Sequence, residues 1–170
     1  MDLMTILKTG GAFVVCAIAA TYLLPRDVQV DRTAVLPVAP DAVLALAAST
    51  DGFQQFNPYL TADPALKIEG FGPAAGVGAG FRFDGKDGTG TQTIAAVSES
   101  AVTYHIDLGA MGQPVQTIRA VPVADGTEVT WSVSSDMGLN PVFRVFGLFL
   151  DGMMGPTFEQ GLANLAEAAA

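Results

Sequence analysis

The sequence predicts an α+β domain: a curved antiparallel β-sheet of about six to seven strands wrapped around one long C-terminal helix. Two observations carry that prediction. Between Val28 and Ser134 the chain divides into short runs of alternating apolar and polar residues, the period of half-buried strands. Asp84-Gly85, Asp87-Gly88 and Asp125-Gly126 punctuate these runs as hairpin-type turns, so neighbouring strands are antiparallel. After Asn140-Pro141 the pattern changes. Phe143, Phe146, Leu150, Met154, Phe158, Leu162 and Leu165 recur at steps of three and four, the spacing of one helix face.

The 170-residue chain is half hydrophobic and carries a formal charge of −9. Setting aside residues 1–25 leaves about 145, a common size for one domain around one core. The acidic balance argues against nucleic acid and against anionic headgroups, both of which need clustered Lys and Arg. The eight basic residues are instead scattered singly from Lys8 to Arg144. Cys16 is the sole cysteine, which excludes an internal disulfide and a thiolate metal cluster. Within an apolar run it reads as an inert, buried thiol.

Leu3–Leu24 is apolar apart from Lys8 and the small polar Thr5, Thr9 and Thr21. It is about as long as a membrane span, roughly 20 residues. Tyr22 stands where an interfacial aromatic would, and Pro25-Arg26-Asp27 ends the run. Residues 1–25 are read as an N-terminal membrane anchor, a single transmembrane helix, with the domain outside the cytoplasm. Lys8 against Arg26 and Arg32 leaves the orientation nearly balanced. Two other readings stay open: a cleavable signal peptide, with Ala17-Ile18-Ala19 as its cleavage site, and a buried N-terminal helix.

The globular part follows in order. Val28–Leu36 alternates as an edge-type strand and stops at Pro37. Ala39-Pro40-Asp41 starts a helix, with proline early and an acid in the first turn. Ser49-Thr50-Asp51-Gly52 ends it, and Phe53–Phe56 forms a second short helix before Asn57-Pro58-Tyr59. Leu66–Phe71 is a strand, then comes the loop Gly72–Gly80. Its glycines look superficially like a phosphate cradle, but such a loop opens a helix, and Phe81-Arg82-Phe83-Asp84 is a strand pattern. A hairpin loop is the better reading. Phe81–Asp84, Thr89–Ser98, Val102–Leu108, Val115–Val123 and Thr127–Ser134 complete the meander. In the last helix Pro156 cannot donate to the carbonyl of Gly152, which predicts a kink near Gly155, either a gate or a bend that follows the sheet.

Several stretches resemble the SRPBCC superfamily, the START and pollen-allergen-like domains, in its polyketide cyclase/dehydrase-like branch. They are Leu24-Pro25-Arg26-Asp27-Val28, Ala39-Pro40-Asp41-Ala42-Val43, Phe56-Asn57-Pro58-Tyr59, Gly72–Ala79, Gly126-Thr127-Glu128-Val129-Thr130-Trp131-Ser132, and Gly155-Pro156-Thr157-Phe158-Glu159 with Gly161–Leu165. Their order covers nearly all of Pro25–Leu165. The resemblance implies a helix-grip fold over residues 26–170, with an apolar cavity between sheet and terminal helix that takes lipids, sterols or polyketides. It implies no cofactor and leaves open whether the domain catalyses a reaction.

Alternation assigns the cavity wall. Phe81 and Phe83 share a face, as do Gln92 and Ile94, Tyr104 and Ile106, and Val129, Trp131 and Val133; Phe146, Leu150, Met153 and Met154 would answer from the helix. These are the candidate ligand-binding residues, against a plain reading in which they fill a core. Gln92 is the polar one among them, and a buried amide needs a partner. Tyr104, Gln92 and His105 are the only candidates for acid/base work, although alternation puts His105 on the solvent face and no metal-ligating cluster shows. Asp151 and Glu159 fall on the solvated side of the helix. The expected function is therefore membrane-tethered binding, or transport, of a hydrophobic small molecule or lipid, in a protein of open oligomeric state. The alternatives are a polyketide cyclase/dehydratase-like enzyme and a non-catalytic interaction domain with a filled core.

Overall fold

The computed structural model describes Cys16 and residues 18–170. β1 (Asp27–Leu36) leads into three helices, α1 (Pro40–Ala47), α2 (Thr50–Phe56) and α3 (Pro58–Ala62). Six strands follow: β2 (Lys67–Phe71), β3 (Gly80–Gly85), β4 (Gly88–Val97), β5 (Ala101–Asp107), β6 (Val115–Val123) and β7 (Gly126–Asp136). The chain closes with α4 (Pro141–Gly147) and α5 (Leu150–Ala168). The seven strands form one antiparallel sheet in the order β1-β7-β6-β5-β4-β3-β2. β2 to β7 is a plain meander, and β1 adds to its end beside β7, from Asp27 opposite Asp136 to Leu36 opposite Thr127. The α+β plan expected from the pattern is present.

Local chemistry explains where the helices start, and it corrects one boundary. Ser49 does not end the first helix. Its Oγ accepts from the Gly52 amide at 3.0 Å and so caps the start of α2. Asn57 Oδ1 accepts from Tyr59 N at 3.0 Å and, with Pro58 in the first turn, starts α3, an element the sequence pattern missed. Asn140 Oδ1 does the same for α4 by accepting from Val142 N at 2.9 Å. Gly126 opens β7 at φ +139°, and the Leu36 carbonyl oxygen stands where its Cβ would be, so the β6–β7 turn closes only with glycine.

The terminal helix is two helices, and the break falls elsewhere than at the proline. α4 ends at Gly147, where a Cβ would lie 2.9 Å from Val28 Cγ2 and 3.2 Å from Met137 Cγ. Two turn residues, Leu148 and Phe149, separate it from α5. Pro156 sits inside the unbroken α5. Arg32 on β1 spans the proline: its Nη1 donates to Asp151 Oδ1 at 2.8 Å and its Nε to Glu159 Oε1 at 2.9 Å, one partner before Pro156 and one after it. Gly155 gives the guanidinium room, since Arg32 Cζ would stand 2.6 Å from a Cβ there. Asp151 and Glu159, expected to be free in solvent, are thus exposed ends of an ion-pair bridge.

Among the described residues, no helix is long and apolar enough to cross a membrane. That finding overturns the expected single-pass membrane localisation. Most of Leu3–Leu24, on which the expectation rested, lies outside the described residues. Cys16 is exposed, not buried. The described end of that segment is held by Arg144, whose Nη1 donates to Leu24 O at 2.9 Å and Tyr22 O at 3.2 Å, with its Cζ 5.5 Å from the centre of the Tyr22 ring.

Candidate functional site

One face of the sheet carries the core. Val30, Val133, Gln116, Tyr104 and Ile94 form a row across β1, β7, β6, β5 and β4, because each is the register partner of the next. Trp131, Ile118 and Phe81 belong to neighbouring rows, all buried. α2 supplies Phe53 at the centre, with ring centroids 5.6 Å from Tyr104, 5.6 Å from Phe81 and 5.9 Å from Trp131. α5 supplies Phe158, stacked on Trp131 at 5.4 Å and 14°. Leu162 and Leu165 continue that buried row.

Between α2 and the β3–β4 edge lies a small cleft lined by Ser49, Thr50, Phe53, Phe81, Gln92 and Tyr104, with Ala79, Gly80 and Ile94. Its volume is about 10 Å³, room for a water and no more. The polar groups on it are nearly all engaged. Ser49 Oγ accepts from Gly52 N, Thr50 Oγ1 donates to Gly80 O at 3.4 Å, and Tyr104 Oη donates to Ala47 O at 2.6 Å. Burial pushes the Tyr104 phenol well above its ordinary pKa, so it stays protonated and tied to the end of α1. Gln92 is the exception: it is only 6% exposed, and its Nε2 has no hydrogen-bond partner. Gln116 Nε2 and Trp131 Nε1 are unpartnered donors on the same side of the sheet.

Of the residues expected at the site, Phe81, Gln92, Ile94 and Tyr104 line this cleft together. Trp131 lies deeper, between Phe53, Phe56 and Phe158. Phe83, Leu150 and Met154 are half-buried against the core, and Ile106 is half-buried on β5. Phe146 and Met153, expected on the inward row, face outward with 44% and 55% exposure. They belong to a largely apolar stretch, Leu139–Met153, whose two charged residues are Arg144, which is buried, and Asp151, which is paired with Arg32. His105 is exposed on the other face, paired with Thr93 and Val115.

Sequence reasoning passed over Gln116, 2% exposed, although the alternation Gln116, Ile118, Ala120 on β6 carries the same signal that marked Gln92. Arg32 and Arg144 were also missed. Their partners lie more than a hundred residues away, where no local pattern reaches. A wider open groove of about 590 Å³ runs over β2, β3 and β4. Register places its polar side chains, Lys67, Glu69, Arg82, Asp84, Thr89 and Thr91, on the face opposite the helices, so it is not the gripped space. Among the described residues, no three His, Cys, Asp or Glu side chains gather to hold a metal ion.

A seven-stranded antiparallel sheet closed over a C-terminal helix, with apolar and amide side chains facing that helix, is the helix-grip plan of SRPBCC domains. Residues 27–170 match the model of the family "Polyketide cyclase / dehydrase and lipid transport", and the chain belongs to that family. No curated protein matches by sequence. Among solved structures, the chain is similar to the di-domain ARO/CYC StfQ from the steffimycin biosynthetic pathway, at a TM-score of 0.62 and 10% identity, covering 84% of this chain and 50% of that one. The chain thus spans half the length of that protein. It is also similar to norcoclaurine synthase of Thalictrum flavum, solved with dopamine and hydroxybenzaldehyde, at 0.61 and 16% identity over 84% of each chain. A protein of Nitrosospira multiformis matches at 0.58 and 21% identity over 84% of this chain and 96% of that one. At these identities the likeness speaks for the fold.

Proposed function

We propose that residues 26–170 form a binding domain for a hydrophobic small molecule, held between the sheet and the helices that cover it. The observation that carries this reading is the cleft between α2 and β3–β4, whose wall joins Phe53, Phe81, Ile94 and Tyr104 to Gln92, a residue with a buried and unpartnered donor. An orphan donor in an aromatic wall costs stability, about 1–3 kcal/mol, and a ligand acceptor offsets that cost. Family membership and the small aromatic molecules bound to norcoclaurine synthase support the same reading. The closed form is too small for a ligand, so binding requires the helices to part from the sheet. Tyr104, committed to Ala47 O and protonated, is a wall group in this reading and not a base.

The test is titration of the full chain with N-phenyl-1-naphthylamine, an uncharged fluorophore that brightens in apolar sites. Saturable one-site enhancement, lost when Ile94→Trp fills the cleft, is expected. An unsaturable response that Ile94→Trp leaves unchanged would sink the proposal.

One observation favours a second reading, an interaction domain that works by its surface. The core is nearly closed, while Leu139, Val142, Phe146, Leu148, Phe149 and Met153 are exposed together on α4 and the start of α5. In that case Phe149→Ser would abolish association in sedimentation velocity and leave the fluorophore response as it was.

A further inference from the structure

We propose that the site selects an uncharged ligand that presents a hydrogen-bond acceptor, such as a carbonyl oxygen, to Gln92. The inference rests on the binding reading above and narrows its ligand class. It starts from the polar groups on the cleft. Thr50 and Tyr104 donate to backbone carbonyls and Ser49 Oγ accepts from the Gly52 amide, while Gln92 Nε2 is a fully buried donor with no partner. Native cores leave few such groups, and here three of them, on Gln92, Gln116 and Trp131, fall on the inner side of one sheet. A hydrocarbon ligand would leave every one of them unmet. A molecule with an acceptor on its ring system would meet the donor of Gln92 where it lies.

The charged residues decide against an anion. Two cations reach toward the covered side, and both are committed. Arg32 is bonded to Asp151 and Glu159, and Arg144 to the carbonyls of Gly138, Tyr22 and Leu24. Lys67 and Arg82 lie over the outer groove, Arg119 is exposed, and His105 is on the outer face. Arg26 is bonded to Asp136 and Lys86 to the Ala62 carbonyl, so a buried carboxylate would find no uncommitted counter-charge on the covered side among the described residues, and burying an unpaired ion is far more costly than burying a ketone. The same reasoning ranks an alkyl-chain acid below a neutral carbonyl compound of similar size.

Three naphthalenes of matched shape test this: 2-acetylnaphthalene, 2-ethylnaphthalene and 2-naphthoate. Trp131, the sole tryptophan, reports their binding by fluorescence quenching in the full-length chain. The acetyl compound is expected to bind about tenfold more tightly than the ethyl compound, the value of one hydrogen bond made in a dry site, and 2-naphthoate weakest of the three. Gln92→Leu should raise the melting temperature of the empty protein, because the orphan donor is gone, and should erase the acetyl preference, so that the acetyl and ethyl compounds bind the variant alike. Gln92→Met repeats the comparison with a side chain of different shape, should the leucine variant fold poorly. Equal affinity for the acetyl and ethyl compounds, an acetyl preference that survives both variants, or 2-naphthoate binding as tightly as the ketone would overturn the inference while leaving the binding site standing. Failure of all three compounds to bind would overturn the binding reading, and this inference with it.

Discussion

The indole of Trp131 occupies the space that a Cβ on Gly161 would need, its Cη2 lying 3.0 Å from where that atom would stand. Helix α5 comes this close to the sheet because glycine is there, and the stacked Phe158 one turn earlier fixes the ring. Gly161→Ala should therefore destabilise the domain by roughly 1–3 kcal/mol, since overpacking outweighs the gain in helix propensity. Gly152 in the same helix has nothing within 4 Å of its own Cβ position. Gly152→Ala should stabilise by about 0.5–1 kcal/mol. Urea denaturation of the two variants side by side measures both signs.

Tyr104→Phe removes the bond to Ala47 O and nothing else of the ring's packing. A loss of about 1–2 kcal/mol is expected in chemical denaturation, with the fluorophore titration curve unchanged. A variant that kept full stability but lost a catalysed reaction would instead identify the phenol as a working acid.

Asp136 gives the fold an acid-sensitive point. Arg26 donates to its carboxylate at 2.8 and 2.6 Å and Gly138 N at 2.7 Å, which together hold its pKa down to about 2 from an ordinary 3.8. A depressed carboxylate contributes stability that is fully present above the ordinary value and is lost as pH falls through the folded one. Wild type should therefore lead Asp136→Asn in melting temperature at neutral pH. The lead should shrink between about pH 4 and pH 2 and be absent below that window. A constant difference across the titration would contradict the assignment.

Arg32→Met should loosen the first turns of α5 without disturbing β1. Hydrogen exchange is the direct measurement: the amides of residues 153–155 and 157 should exchange faster in the variant, while those of β7 keep their protection. High salt should reproduce part of the effect in wild type, because both acidic partners are solvent-exposed.

Strands were the most legible part of the sequence. Alternation in Phe81–Phe83, Gln92–Ile94, Tyr104–Ile106 and Val129–Val133 marks the inner face, because a period of two leaves no other choice once one side is buried. Helix boundaries were harder. Ser49-Thr50-Asp51 is both a plausible stop and a capping start, and only the Gly52 amide on Ser49 Oγ separates the two. The break between α4 and α5 was hidden because Phe146 and Leu150 keep helical spacing across it, and the close approach of Gly147 to Val28 beside it is a tertiary contact. Pro156 does not interrupt the helix, and the Arg32 bridge that spans it joins residues far apart in sequence.

The addition of β1 beside β7 has a consequence for how the chain is made. Translation delivers β1 first, yet the strand that pairs with it emerges about 100 residues later. Hairpins β2–β3 through β6–β7 can assemble as they leave the ribosome, each from neighbours in sequence. Throughout that time the inward side chains of β1, Val30 and Leu36 among them, wait without a partner strand, exposed to whatever else binds nascent extended chain. Docking of β1, with Arg32 reaching α5, closes contacts of high sequence separation, which must wait until β7 and α5 have been made.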